Sequence, residues 1–487
     1  MEAARECLAM IGETSQQALA QQLDAAAEAF RQWSRLQPAD RAPLLARIAA
    51  ALEQAGPRLV ALADEETSLG HARLETELVR TVFQLRLFAQ EVTRGIYLEA
   101  IIDRAEPAWP MGPRPDVRRM LEPLGPVVVF AASNFPLAFG VAGGDSASAL
   151  AAGCSVVVKA HPGHPRLSEA IADVVQGALR SGGAPEGLFG VISGTEAGRA
   201  AIVDPRIKAG AFTGSLNAGR ALFDLATGRP DPIPFFGELS SVNPVFVTKA
   251  AAERRGPAVV SEFVASFTAG AGQLCTKPGI LMVPASAKLV DQLPRAVPSN
   301  PTALLNDRIQ TSYTNAVQEL CEAAGVHVLV NGDHAARRPS PTLLRTTSAE
   351  LLGNPQGLVR EMFGPAALVV EYEEESELLA VARAIDGQLT ASIQGEDDDA
   401  IADALVRLLA AKAGRVLWNQ WPTGVSVTYA QQHGGPYPAT TAPSTTSVGT
   451  QAISRFLRPV AYQNMPEHLL PPALRDANPL GIAQRIS

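Results

Sequence analysis

One cysteine stands in a setting suited to chemistry. In the stretch GAGQLCTKPG, residues 270–279, Cys275 lies among glycines, a threonine and a proline, in a 487-residue chain with only four cysteines. Glycine on both sides lets the backbone approach a ligand closely and present its own N–H groups. A thiol there reads as a nucleophile, provided its surroundings favour the thiolate, or as an inert buried thiol, a common state of free cysteine. Glu238 closes the apolar run IPFFGE amid small residues. A glutamate at a strand end reads as a solvated surface group or, in a partly apolar cleft, as a general base. Further upstream, in FTGSLNAGR, a strand runs into Gly214 and Ser215 and a helix begins at once. Helix N-termini carry unpaired N–H groups and a partial positive charge, which favours a pyrophosphate. Ser215 is then a phosphate contact, a plain N-cap, or both.

The totals limit the setting. Cys7, Cys154, Cys275 and Cys321 fall at unrelated spacings, with no C-x-x-C and no clustered histidines. This argues against the usual zinc patterns and against a disulfide framework, so no metal is expected. A reducing compartment follows, and with it a cytoplasmic location and a free Cys275 thiol. The net charge of −8 argues against a nucleic-acid groove or an anionic membrane as partner. No run approaches the roughly 18 apolar residues of a membrane span, and the start, MEAARECLAMIGETS, lacks the apolar core of a signal peptide. The length predicts two or three domains.

The elements that must position these residues follow from periodicity. From about Ser15 to Leu98 the chain is rich in Ala, Leu, Glu, Gln and Arg, with apolar residues at helical spacing such as Leu44, Leu45, Ile48, Ala49 and Leu52. Three or four helices are predicted, none of them catalytic in appearance. Residues 107–115 break the pattern with Pro and Gly, an extended excursion. After Leu124 short apolar runs alternate with helical stretches: 126–130, 155–159, 188–192 and 209–212 as strands, with helices near 143–152 and 167–179. That alternation predicts a parallel sheet covered on both faces, an α/β architecture. A second unit after Pro244 mixes strands at 328–330, 367–370 and 416–418 with a helix over 401–412, closed by Gly414. Residues 333–347 read as a connection. The stretch 422–450 is Pro-, Gly- and Thr-rich, yet its Tyr, His and Val content predicts an ordered loop lining a site.

Taken together, the motifs resemble the aldehyde dehydrogenase superfamily over nearly the whole chain. They arrive in its order: Ser133-Asn134-Phe135-Pro136, Val157-Val158-Lys159, Phe212-Thr213-Gly214-Ser215, Glu238 with the following LSSVNP, Gly272-Gln273-Leu274-Cys275-Thr276, and Glu361-Met362-Phe363-Gly364-Pro365. Val141 to Asp145, Lys159 to Pro165, Pro422 to Val425, His433 to Thr440 and Arg455 to Gln463 are most similar to a branch acting on 2,5-dioxovalerate or on fatty aldehydes.

The resemblance implies an aldehyde dehydrogenase fold: a Rossmann-like cofactor domain (1–106 and 123–245, with the helical segment), an α/β catalytic domain (246–440) and a small oligomerisation flap with tail (107–122 and 460–487). It implies Cys275 as nucleophile, Glu238 as water-activating base and Asn134 as oxyanion donor, although Asn134 alone reads as a turn residue. For the cofactor it implies Lys159 at the adenosine ribose, Gly214 and Ser215 at the pyrophosphate, and Glu361 with Phe363 at the nicotinamide side. His161 stands beside Lys159 as a cofactor contact or an ordinary loop residue. No carboxylate follows Lys159 to repel a 2′-phosphate, so NADP is expected, with NAD as the alternative.

The implied substrate is a small-molecule aldehyde, foremost 2,5-dioxopentanoate going to 2-oxoglutarate, with a fatty aldehyde second. The implied assembly is a homo-oligomer, a dimer or tetramer. Rivals from other classes are a cofactor-free cysteine hydrolase and a catalytically silent structural relative. Two departures from the family stand out: Ser133 replaces an aromatic residue, and Ser240 and Ser241 replace glycines, so that two hydroxyls are expected to crowd the base. For the far end of the substrate, Arg458 and Arg114 are the candidates by context.

Overall fold

A computed structural model describes residues 12–487; Cys7 and the N-terminal stretch read for a signal peptide lie largely outside them. Four helices come first: α1 (Gln16–Trp33), α2 (Pro38–Gln54), α3 (Gly56–Thr67) and α4 (His71–Arg94). Ser15 starts the first by accepting a hydrogen bond from Ala18 N–H, an ordinary N-cap. The chain continues through β1 (Ala100–Asp103), β2 (Val117–Pro123), β3 (Val127–Phe130), α5 (Gly144–Ala152), β4 (Val156–Lys159) and α6 (Pro165–Ser181). Then come β5 (Phe189–Ile192), α7 (Thr195–Val203), β6 (Ala209–Thr213), α8 (Leu216–Thr227) and β7 (Phe235–Glu238).

Strands β3 to β7 form a five-stranded parallel sheet in the order β5-β4-β3-β6-β7. The chain runs outward from β3 to β5 and then returns to the other side of β3. The carboxyl ends of β3 and β6 therefore flank a topological switch point, where open α/β sheets bind ligands. Side chains along β3 alternate between two cores: Val127 and Val129 pack with α2 and α6, Val128 and Phe130 with α1 and α7. Burial on both faces is why these strands read as unbroken apolar runs.

The second half holds β8 (Val245–Val247), α9 (Lys249–Thr268), β9 (Ile280–Pro284), α10 (Leu293–Ala296), α11 (Asp307–Cys321), β10 (His327–Val330) and β11 (Thr342–Thr347). It goes on with α12 (Ser348–Gly353), α13 (Pro355–Leu358), β12 (Ala366–Tyr372), α14 (Ser376–Ala384), β13 (Gln388–Gln394), α15 (Ala402–Ala410) and β14 (Ala413–Trp418). Its seven-stranded sheet has the order β10-β11-β12-β9-β8-β13-β14, parallel except for β10. Again alternate residues serve opposite cores, Ile280 and Met282 on one side and Leu281 and Val283 on the other.

Two sequence expectations fail in this half. Residues 342–347 are a strand and not part of a connection: Thr342, Leu343 and Leu344 are buried, and the Thr and Arg content masks the pattern. Gly414 does not close a helix; α15 stops at Ala410 and Gly414 lies in β14. A Cβ there would sit 2.1 Å from the Gly434 carbonyl oxygen, so glycine is needed for backbone approach.

The last strands, β15 (Leu457–Gln463) and β16 (Gln484–Ile486), join β1 and β2 in a separate sheet, ordered β15-β2-β1-β16. This sheet includes Ala100–Asp103, a segment that the sequence assigns to the first domain. Arg458 belongs to this sheet, and Arg114 to the segment that joins β1 to β2. Arg114 stacks on Trp109, 4.3 Å from the ring centre, and Arg458 is exposed on β15.

Candidate active site

Cys275 sits in the loop between α9 and β9. Three successive residues before it take the left-handed conformation: Gly270 (φ 57°), Ala271 (φ 54°) and Gly272 (φ 66°). Gly272 is doubly required, because a Cβ would lie 2.1 Å from the Gly364 carbonyl oxygen. Ala271 is held there against its preference, the local strain often found at functional sites. The loop is pinned from below by Asn243. This buried residue, itself at φ 51°, donates its amide to the carbonyls of Cys275 (2.8 Å) and Lys277 (2.9 Å). Its Oδ1 accepts from Ser241 and Thr390, and Gln388 ties down Ser241 and the backbone N–H groups of 242 and 243.

Glu238 reaches the cysteine from the end of β7 and is almost fully buried. One carboxylate oxygen accepts from Ser447 Oγ at 2.9 Å, and the other lies 3.0 Å from His433 Nε2. The same His433 Nε2 lies 3.6 Å from Cys275 Sγ. His433 Nδ1 is buried without a partner, so the imidazole edge with partners is the one shared by thiol and carboxylate. The three reacting atoms lie within 4.8 Å of one another, close enough to bridge a metal ion as well as to pass a proton.

The electrostatics set the resting state. Burial pushes the Cys275 thiol well above its usual range, and the neighbouring Glu238 charge pushes it further. Burial also acts to raise the Glu238 carboxyl, but His433, Ser447 and Cys275 more than offset it and hold it below the usual carboxylate range. The pair thus rests as a protonated thiol beside an ionised carboxylate, with an acceptor in place when the thiol gives up its proton.

Asn134 follows β3 and is nearly buried; its Nδ2 donates to the Gln273 carbonyl at 3.0 Å. An amide nitrogen carries two N–H donors, so one remains for a ligand beside Cys275. Helix α4 supports this loop through one face. Arg73 donates to the Asn134 carbonyl at 2.6 Å, and Glu77 accepts from the N–H groups of Leu137 (2.7 Å) and Ala138 (2.9 Å). Burial raises the Glu77 carboxyl to about 7.

The structure therefore brings together Cys275, Glu238 and Asn134. It adds His433 and Ser447, which the sequence did not assign. The ordered loop expected over 422–450 supplies both. Of the two serines expected beside the base, Ser241 bonds Asn243 and Gln388, and Ser240 accepts from Leu216 N–H at 3.4 Å; neither hydroxyl bonds Glu238 among the described residues.

Of the remaining candidates, Glu361 lies near enough for its charge to act on Cys275, while Lys159, Gly214 and Ser215 stand at the ends of strands of the five-stranded sheet. Lys159 ends β4, half-buried, its ammonium pushed below the usual lysine range by burial and by Arg308, with Glu13 opposing. His161 is engaged locally: its Nδ1 accepts from Gly163 N–H at 3.0 Å, and burial holds it down at about 3. Ser215 occupies the N-cap position of α8, yet its hydroxyl makes no capping bond and so stays available. Gly214 precedes it, at the end of β6. Burial pushes the Glu361 carboxyl up to about 7, opposed by Ser240 and Lys277; Phe363 is two residues further on and half-buried. Burial in turn lowers the Lys277 ammonium to about 8 while its Nζ donates to the carbonyls of Met362 and Ala366. No helix among the described residues is long and apolar enough to cross a membrane.

Known proteins resemble this chain in sequence and in fold. The sequence profile of the Aldehyde dehydrogenase family matches residues 2–437. An alpha-ketoglutaric semialdehyde dehydrogenase of Acinetobacter baylyi is 44% identical over 478 residues, covering 96% of this chain and 90% of its own. A second enzyme of that name, from Azospirillum brasilense, is 44% identical over 458 residues, covering 92% and 87%. Among solved structures, the succinic semialdehyde dehydrogenase of Streptococcus pyogenes, in complex with NADP+, aligns with a TM-score of 0.78 at 15% identity, over 93% of this chain and 96% of that one. The chain belongs to the aldehyde dehydrogenase family.

Proposed function

We propose that the protein oxidises 2,5-dioxopentanoate (alpha-ketoglutaric semialdehyde) to 2-oxoglutarate with NADP, NAD being the alternative cofactor. The observation that carries this is the close group of Cys275 Sγ, His433 Nε2 and Glu238 at 3.6 and 3.0 Å, in a chain 44% identical to two proteins named for that aldehyde.

The residues support the following course. Cys275 gives up its proton toward the His433–Glu238 pair and attacks the aldehyde carbon, forming a thiohemiacetal. The free N–H of Asn134 and the backbone N–H of Cys275 hold the developing oxyanion, and one such donor is worth about 10²–10³ in rate. Loss of hydride leaves a thioester on Cys275. When bound, NADP supplies the hydride acceptor for that oxidation. Glu238, aligned by Ser447 and His433, then takes a proton from water as it attacks the thioester, and the acid leaves.

The surroundings of the sheet mouth fit the cofactor. The switch point between β3 and β6, the free Ser215 hydroxyl and the half-buried Lys159 ammonium suit a dinucleotide. In this reading Gly214 and Ser215 hold the pyrophosphate, Lys159 with His161 the adenosine ribose, and Glu361 with Phe363 the nicotinamide side. The five-stranded sheet with its helices is then the cofactor domain and the seven-stranded sheet the catalytic domain. The four-stranded sheet serves as an oligomerisation flap for a dimer or tetramer. A cytoplasmic location agrees with the use of a free thiol.

The test is a panel of aldehydes with each cofactor, ranked by kcat/KM. The expected result is 2,5-dioxopentanoate with NADP at the top. Equal or better turnover of decanal would replace this substrate with a fatty aldehyde.

A further inference from the structure

Two half-buried arginines near the thiol hold buried donors to spare. Arg80 follows Arg73 and Glu77 on the same face of α4, where positions i, i+4 and i+7 align. Its Nη1 donates to the Val425 carbonyl at 2.7 Å, and its guanidinium lies 5.5 Å from the Phe139 ring centre. Its Nε and Nη2 are buried with no partner among the described residues. Those two N–H groups form the side-on edge of a guanidinium, the geometry that takes both oxygens of one carboxylate.

Arg415 approaches from β14. It donates Nη1 to the Gly424 carbonyl at 3.0 Å and Nη2 to the Pro422 carbonyl at 2.7 Å, while its Nε is buried and unpartnered. The two side chains therefore grip one short loop, 422–425, from two sides and leave three buried donors over. Unpaired buried donors carry a desolvation cost of about 1–3 kcal/mol each, and more when charged. Burial lowers both guanidinium groups, and Cys275 is among the charges that each one feels. The acidic group on the same face of α4, Glu77, already takes two backbone N–H groups of the oxyanion loop.

We propose that Arg80 and Arg415 form the binding site for the 2-oxo-carboxylate end of the substrate, and so set the preference for acidic over uncharged aldehydes. This rests on 2,5-dioxopentanoate being the substrate. With the aldehyde carbon at Cys275, its other end offers three acceptors, two carboxylate oxygens and one keto oxygen, for the three free donors. Arg114, in the segment between β1 and β2, and Arg458, exposed on β15, have no such place.

The test compares wild type, Arg80→Met and Arg415→Met on 2,5-dioxopentanoate and on pentanal, with calorimetric titration of 2-oxopentanoate, which has the same acidic end and no aldehyde. Each variant is expected to lower the kcat/KM ratio of 2,5-dioxopentanoate to pentanal by roughly 30- to 1,000-fold, as for losing one partner of a buried charge pair. The affinity for 2-oxopentanoate should fall in parallel. Thermal melts check folding. A variant that melts early is replaced by its lysine counterpart, which keeps the charge, loses the fork and should lower the ratio less. Equal losses on both aldehydes, or undiminished 2-oxopentanoate binding, would overturn the arginine site. If wild type itself prefers pentanal, the substrate assignment fails and takes the site with it. If wild type prefers 2,5-dioxopentanoate and the variants keep that preference, only the arginine site falls.

Discussion

Around Cys275 the buried polar groups are largely used up, whereas between α4 and β14 they are left open. Glu238 takes Ser447 on one oxygen and His433 on the other, and Asn243 spends its amide on the cysteine loop itself. Arg80 and Arg415 keep three donors without partners. The first condition fixes geometry, since a satisfied network in a low-dielectric interior is stiff and specific. The second is costly until an outside acceptor arrives. In the proposed reading, one end performs a reaction common to any aldehyde, and the other selects which aldehyde stays.

Substitutions at the saturated end should therefore lower turnover for every aldehyde alike. Asn134→Ala should cost about 10²–10³ in kcat on both 2,5-dioxopentanoate and pentanal, read from steady-state kinetics. A loss confined to the acidic substrate would break the comparison, because it would make Asn134 part of recognition. His433→Asn should cost less, roughly 10-fold or about 1.4 kcal/mol, and its sharper sign is in the pH profile. His433 helps hold the Glu238 carboxyl low. Without it that carboxyl titrates at higher pH, so the acidic limb of kcat should move toward neutral. An unmoved limb would leave His433 with packing alone.

Much of this plan is legible in the sequence, and what escapes has physical causes. Central strands of the two larger sheets show as apolar runs because both faces are buried, as at 127–130 and 367–370. Cys275 and Glu238 stand in glycine- and serine-rich surroundings that mark them out. His433 does not, since it lies 158 residues from Cys275 in a stretch without periodicity, and only folding brings the two together. Its signal was present in the Gln432-His433-Gly434-Gly435 motif, but nothing local assigns a role. Ser447, 209 residues from Glu238, is hidden in the same way. The partners of Ser240 and Ser241 are hidden likewise: Ser241 bonds Gln388, 147 residues away, and Ser240 the N–H of Leu216, 24 residues back. Arg80 escapes because α4 has ordinary helical composition, and an arginine there reads as a solvated face until its burial is seen.

The central claim is that Glu238 releases an acyl group held on Cys275. It is tested most directly by mixing the Glu238→Gln enzyme with 2,5-dioxopentanoate and NADP, quenching in acid and weighing the peptide that contains Cys275. Steady-state turnover should fall by about 10²–10⁴, while most of that peptide gains the mass of the acyl group, which the wild-type peptide does not retain. An unmodified Cys275 peptide, or the acyl mass on a different residue, would contradict it.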